Sequence, residues 1–462
     1  MMLSLIILTV FSIAILFLGF TRWKNILVPL SFLALSGALW SIFTQQTFWN
    51  QYLMDMVELE GSSRLMSMLV LVLGLGLVPF FQHFQGRGNE ELADFLGIFL
   101  FSLVGGLLMV SAVNYMSLFL GVEILTISMY VLAGADRRKS TSNEASLKYF
   151  ITGSFTSALM LFGIGLLYTA TGTLSIRPAS NVTGILIPGA DASWIISHIG
   201  FLFLFVSFAL KIAIVPFHFW APDVYQGTPT LFTAAMSTVV KVAAFGMFFR
   251  VVQLNAGLLP EWINWFFILM ILATLVYGNL MAMGQRSVKR LLAYSGIVQA
   301  GFILIGFIQL NGEQLWPLLF YFMAYSLASL VCFLVIHFVE GQSGTDDIDS
   351  FGGLAYSNPS LAAMMTIALI SLAGGPLTAG FMAKIFMLNH AIQNGYTALV
   401  IVAVITTLMS FYYYYKIINA MFTHSGDQAW RTPFLYRGIM ALLIVITLAA
   451  GVFPAHFIQY FR

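Results

Sequence analysis

Fourteen runs of apolar residues follow one another along this chain, near 3–20, 26–44, 64–82, 95–112, 115–134, 145–171, 194–217, 229–252, 261–283, 288–310, 316–340, 360–392, 396–418 and 436–453. A helix needs about 20 such residues to cross a bilayer, so the pattern predicts an all-α polytopic membrane protein of about 14 transmembrane helices. Composition agrees. Of 462 residues 60% are hydrophobic and 8% charged, against roughly 25% charged in soluble proteins. A mean hydropathy of +0.92 cannot be left facing water. The net charge of +2 argues against a nucleic-acid binder, which carries a basic face. A single cysteine, Cys332, excludes an intramolecular disulfide and an iron–sulfur cluster held by this chain alone.

Met1 to Phe20 is apolar without a positive leading segment, and Arg22 and Lys24 follow it. That order reads as a first span starting outside, not as a removable signal. With this start, the inner loops and ends carry twelve basic residues: Arg22, Lys24, Arg87, Arg137, Arg138, Lys139, Arg286, Lys289, Arg290, Lys416, Arg431 and Arg437. The outer ones carry four, Arg64, Arg177, Arg250 and Arg462. A missed span would scramble this bias, so it supports the count and predicts that both termini face the outside or periplasm.

The spans also repeat. Helices 4–8 (95–252) and 9–13 (261–418) form two five-span units, preceded by helices 1–3 (1–94) and followed by helix 14 (419–462). An odd-numbered unit repeated in tandem is inverted across the membrane. In each unit the fourth helix combines a breaker with a lysine: Lys211 before Pro216 in LKIAIVPFHFWAP, Lys384 after Pro376 in AGGPLTAGFMAKIF. Matched broken helices (here 7 and 12) in inverted repeats point to an ion or substrate path.

Four lysines stand outside the loop count: Lys148, Lys211, Lys241 and Lys384. Glu123 alone among the acids sits well inside a span. A charge at mid-bilayer costs about 2.5–3.5 kcal/mol by insertion scales and usually faces a wet interior. Desolvation lowers an ammonium pKa by up to about 3–5 units, and a nearby carboxylate restores it. A Glu and a Lys that approach and separate therefore form a proton switch. Static packing partners are the bland alternative for each. Lys148 is the weakest candidate, because it can snorkel or pair with Glu144 one turn earlier. Lys241 has no breaker beside it.

His218 follows the break after Lys211 and can extend the path. His83, His198, His337, His390, His424 and His456 fall at helix ends or in loops and read as interfacial. No spacing matches a metal site. Gly105–Gly106 and Gly374–Gly375 read as packing and breaking devices, Tyr412–Tyr415 as part of an aromatic belt, and Asp223 as a structural residue.

These segments resemble a known family. LFLGVEILTISMYVLAG, EASLKYFITGSFTSALMLFGIGLLYTATGT, LKIAIVPFHFWAPDVYQGTPT, SVKRLLAYSGIVQAGF and AGGPLTAGFMAKIF are similar to the antiporter-like membrane subunits of respiratory NADH–quinone oxidoreductase (complex I), the N type above all. The resemblance implies that Glu123, Lys148, Lys211, Lys241 and Lys384 are the family's proton-path residues in spans 5, 6, 7, 8 and 12. It also implies a proton translocase without cofactors in this chain. FMN, iron–sulfur clusters and quinone then belong to partner subunits, and the partners are other membrane-arm subunits and lipid. One departure is Gln299, where relatives often carry His in span 10; Gln can hydrogen-bond water but cannot carry a proton as a cation.

Two other readings stand beside it. A sodium–proton antiporter subunit is disfavoured because sodium wants several hard oxygen ligands and one buried carboxylate is poor provision. A purely structural membrane subunit predicts that neutralising Lys211 or Glu123 leaves transport intact.

Overall fold

The computed structural model describes residues 2–21, 24–44, 55–59, 61–83, 89–177, 192–255, 262–308, 315–423 and 431–461. Arg22, Arg87, Arg462 and His424 lie outside the described residues, as do the side chains of Lys24 and His83.

Among the described residues the chain is helical, because a backbone in hydrocarbon must satisfy its own hydrogen bonds. Eleven helices are long and apolar enough to cross a membrane, and three shorter apolar ones, Met2–Leu18, Leu27–Phe43 and Pro359–Ala373, complete fourteen. The helices are α1 (Met2–Leu18), α2 (Leu27–Phe43), α3 (Gly61–Leu77), α4 (Asn89–Ser111), α5 (Tyr115–Ala133), α6 (Ser140–Thr171) and α7 (Ala192–Ile212). Then come α8 (Ala221–Gly227), α9 (Thr230–Ala235), α10 (Lys241–Leu254), α11 (Trp262–Met283), α12 (Val288–Ile305) and α13 (Leu315–Ser343). The chain closes with α14 (Leu354–Ser357), α15 (Pro359–Ala373), α16 (Ala379–Gln393), α17 (Thr397–Thr423), α18 (Phe434–Val452) and α19 (Pro454–Phe461).

Both fourth helices are broken as the prolines imply. Span 7 stops at Ile212 and resumes as α8; span 12 divides into α15 and α16. A third interruption was not expected. Span 8 runs α9, then a π-helical turn over Met236–Val240, then α10 beginning at Lys241. Span 13 continues to Thr423, and α19 follows span 14 as a short helix with no buried residue.

Burial sorts the helices. Residues 230–252 are wholly buried and α12 and α13 nearly so, whereas α6, α17 and α18 bury only about a third of their residues. Spans 8, 10 and 11 thus form the axis, with the exposed apolar faces of α6, α17 and α18 left for lipid or neighbouring chains. Small residues close the seams. A methyl group on Gly105 of α4 would lie 2.7 Å from the Gly121 carbonyl of α5, so the two backbones touch as small residues allow.

Two antiparallel bridges occupy corresponding places. Asn114, which caps α5, pairs with Ser175 just after α6. Ser287, which caps α12, pairs with Asp347 beyond α13. The offsets are 287 − 114 = 173 and 347 − 175 = 172.

Candidate functional site

Glu123 sits halfway along α5, two residues beyond the Gly121 contact, and its carboxylate accepts a hydrogen bond from the Ser157 hydroxyl of α6. Lys211 lies in the last turn of α7. Its Nζ is buried without a hydrogen-bond partner among the described residues and interacts electrostatically with Glu123.

The break after Lys211 is stitched. Trp220 Nε1 donates to the Leu210 carbonyl at 2.8 Å and Val215 N to Thr274 Oγ1 at 3.1 Å. Ala213 holds a φ of 58°, a left-handed conformation costly for any residue with a Cβ. The break in span 12 repeats this with Leu377 at 67°. Strained backbone of this kind clusters at functional sites. His218 lies in the first break, buried, with its ring edge-on to Tyr277 at 4.8 Å.

Lys241 opens α10 directly after the π turn. Its expected lack of a breaker is corrected here: a π bulge uses ordinary helix-forming residues, so no proline or glycine announces it, and such bulges recur at functional sites. The Lys241 ammonium reaches α12, donating to the Gly296 carbonyl at 2.5 Å beneath the Tyr325 ring, 5.4 Å from its centre. One turn along α12, Gln299 is fully engaged. Its Nε2 donates to the Leu372 carbonyl at 2.8 Å and its Oε1 accepts from the Tyr321 hydroxyl at 2.5 Å. The next carbonyl, Ala373, accepts from Lys384 Nζ at 2.8 Å, and that ammonium lies 4.8 Å from the centre of the Phe302 ring. Lys384 thus sits at the negative end of the half-helix α15, where the last carbonyls lack helical partners.

Lys148 is differently placed. Its side chain is 42% exposed and pairs with Glu144 at 2.7 Å and Asp223 at 2.8 Å. Asp223 also holds Arg290 of α12 at 2.5 Å, so it is a junction between α6, α8 and α12. Beside it Lys289, read from sequence as a loop charge, is buried and pairs with Glu340 of α13 at 3.0 Å, while Thr230 of α9 bonds the same carboxylate. These groups line a cavity of about 480 Å³ together with Asp136, Lys139 and Asp346. The cavity was not legible in the sequence because its walls come from four separate segments.

Two further expectations are corrected. Tyr412 and Tyr415 are exposed as a belt requires, but Tyr413 and Tyr414 are buried, and Tyr414 shares a hydrogen bond with Ser295 of α12 at 2.5 Å. The 3.6-residue period of a helix turns the two middle members of a four-residue aromatic run inward and leaves the outer two facing out. His390 is buried, its Nε2 3.0 Å from the Ile308 carbonyl. No group of three or more metal-binding side chains gathers among the described residues.

Comparison with known proteins adds to this geometry. A family model described as NADH:quinone oxidoreductase/Mrp antiporter, TM, matches residues 112–410. NADH-quinone oxidoreductase subunit N of Flavobacterium johnsoniae is 38% identical over 461 residues, covering 98% of each chain. Subunit N of Cytophaga hutchinsonii is 36% identical over 460 residues, 99% of this chain and 98% of that one. A chain of respiratory complex I from Thermus thermophilus superposes with a TM-score of 0.84 at 29% identity, covering 99% and 98% of the two chains.

Proposed function

This chain belongs to the NADH:quinone oxidoreductase/Mrp antiporter membrane family, and from that premise we propose that it is the N-type proton-translocating subunit of a bacterial NADH–quinone oxidoreductase. Protons move through Glu123, Lys211, Lys241 and Lys384 while quinone is reduced elsewhere in the complex. His218 serves the break beside Lys211, and Lys148 ties the path to the charged cavity. FMN, iron–sulfur clusters and quinone belong to partner subunits, and the other membrane-arm subunits and lipid cover the exposed apolar faces. The cavity face is cytoplasmic, with both termini periplasmic in the inner membrane.

The observation that carries the reading is the continuity from Lys241 to Lys384. An ammonium from span 8 rests on span 10, Gln299 one turn on bonds the end of α15, and the adjoining carbonyl seats the second ammonium. When Glu123 and Lys211 approach, the ammonium keeps its proton; when they part, the desolvated lysine releases it. The 95–252 and 261–418 units act as the two halves of this path. Their corresponding bridges, offset by 173 and 172 residues, support that division.

The test is proton uptake by membrane vesicles containing the assembled complex, driven by NADH oxidation. Glu123→Gln and Lys211→Ala should each assemble yet lower proton translocation at least tenfold. Assembled variants that pump at the native rate would show that the chain bridges its neighbours and moves nothing.

A further inference from the structure

Gly296 presents no side chain at the point where the two units meet. A methyl group there would lie 3.0 Å from Lys241 Nζ and 3.2 Å from the Tyr325 hydroxyl. It touches nothing else within 4 Å. The space is therefore occupied by the ammonium and the phenol alone, and by no helix seam.

The position also has a counterpart. α4 and α11 begin 173 residues apart (262 − 89), and so do α5 and α12 (288 − 115). On that register Gly296 corresponds to Glu123 (296 − 173 = 123). Where the first unit carries the half-buried Glu123 carboxylate, the second carries a bare backbone carbonyl, and a lysine of the first unit occupies it. Lys241 is delivered there by the π turn at Met236–Val240, which ends on the residue before it.

We propose that Gly296 is a positioning residue for proton transfer: the absence of a side chain reserves the seat in which the Lys241 ammonium meets α12, one turn from Gln299. This rests on the proton-path reading above. Alanine is a better helix former than glycine, so Gly296→Ala should not weaken α12; it should unseat the ammonium. Gly301 on the same helix supplies the control. The atoms nearest to a methyl group there are side-chain carbons of Leu275 and Thr274, at 3.2 Å and beyond.

The experiment measures protons moved per NADH oxidised in vesicles containing the complex, with assembly followed on native gels, for Gly296→Ala, Gly301→Ala, Lys241→Ala and the Lys241→Ala/Gly296→Ala pair. Gly296→Ala should lower the proton yield at least fivefold while Gly301→Ala stays within twofold of native. The double variant should match Lys241→Ala alone, because once the ammonium is gone the methyl group displaces nothing. If Gly296→Ala fails to assemble, the double variant decides: recovery of assembly supports the seat, and continued failure overturns it. A native proton yield in Gly296→Ala, or losses that simply add in the pair, also overturns it. A native yield in Lys241→Ala would instead sink the proton-path reading itself.

Discussion

Asp223 holds two cations at once, Lys148 from α6 and Arg290 from α12. The three side chains are between 30% and 42% exposed, and ion pairs so placed contribute about 0–1 kcal/mol. Lys148→Ala leaves the Arg290 pair intact and should change stability by less than about 1 kcal/mol. Asp223→Ala strips both cations of their shared acid and should cost about 1–2 kcal/mol. Thermal unfolding of the assembled complex separates the two. Equal losses would mean that the junction does not act through Asp223. Sequence identified Lys148 and its pair with Glu144 one turn earlier, but not its second partner Asp223, since a residue 75 positions away (223 − 148) leaves no local trace.

Helices were largely legible, because apolar length and proline placement are local properties. Pro216 and Pro376 mark the breaks, and Lys211 and Lys384 stand beside them. What escaped is what depends on the neighbour. The π turn before Lys241 is written in residues that also form α-helix, and the inward turn of Tyr413 and Tyr414 follows from which face of α17 meets α12. The Lys289–Glu340 pair needed α12 and α13 side by side. The α4–α5 seam shows how an element positions chemistry. A methyl group on Gly105 would lie 2.9 Å from the Leu125 Cα, and backbone cannot yield as a side-chain end does. Gly105→Ala should therefore push α5 away and move Glu123 with it, costing about 1–3 kcal/mol as overpacking does. Lowered yield of assembled complex, together with reduced proton translocation in what assembles, is the expected result; native values for both would show that the seam has slack.

Across the whole molecule, the face opposite the charged cavity is fastened by Glu58. Its carboxylate receives Arg250 at 2.5 Å and Arg177, while its backbone N–H donates to the Ser111 carbonyl at 2.8 Å. The clamp joins the segment before α3, the α4–α5 turn, the segment after α6 and the end of α10. Burial pushes the Glu58 carboxyl upward, but hydrogen bonds from Arg177 and Arg250 outweigh it and hold the group below its ordinary value of 4.5. A lowered folded pKa contributes stability above the unfolded value and loses it as pH falls through the folded one. Glu58→Gln should thus cost about 2–3 kcal/mol near neutrality, and the gap from native should close as pH drops below about 4.5. Thermal unfolding at several pH values reads this, and a gap constant down to pH 3 would rule the clamp out.

The seats of Lys241 and Lys384 have a consequence for how this chain tolerates change. Each ammonium rests on a main-chain oxygen, at Gly296 and at Ala373. No substitution can delete a carbonyl; it can only crowd it. A saturation scan of the whole chain would therefore register the two donors and the small residue that keeps one seat open, yet remain blind to the acceptors. The half of each contact that inheritance cannot alter is the half that genetics cannot find.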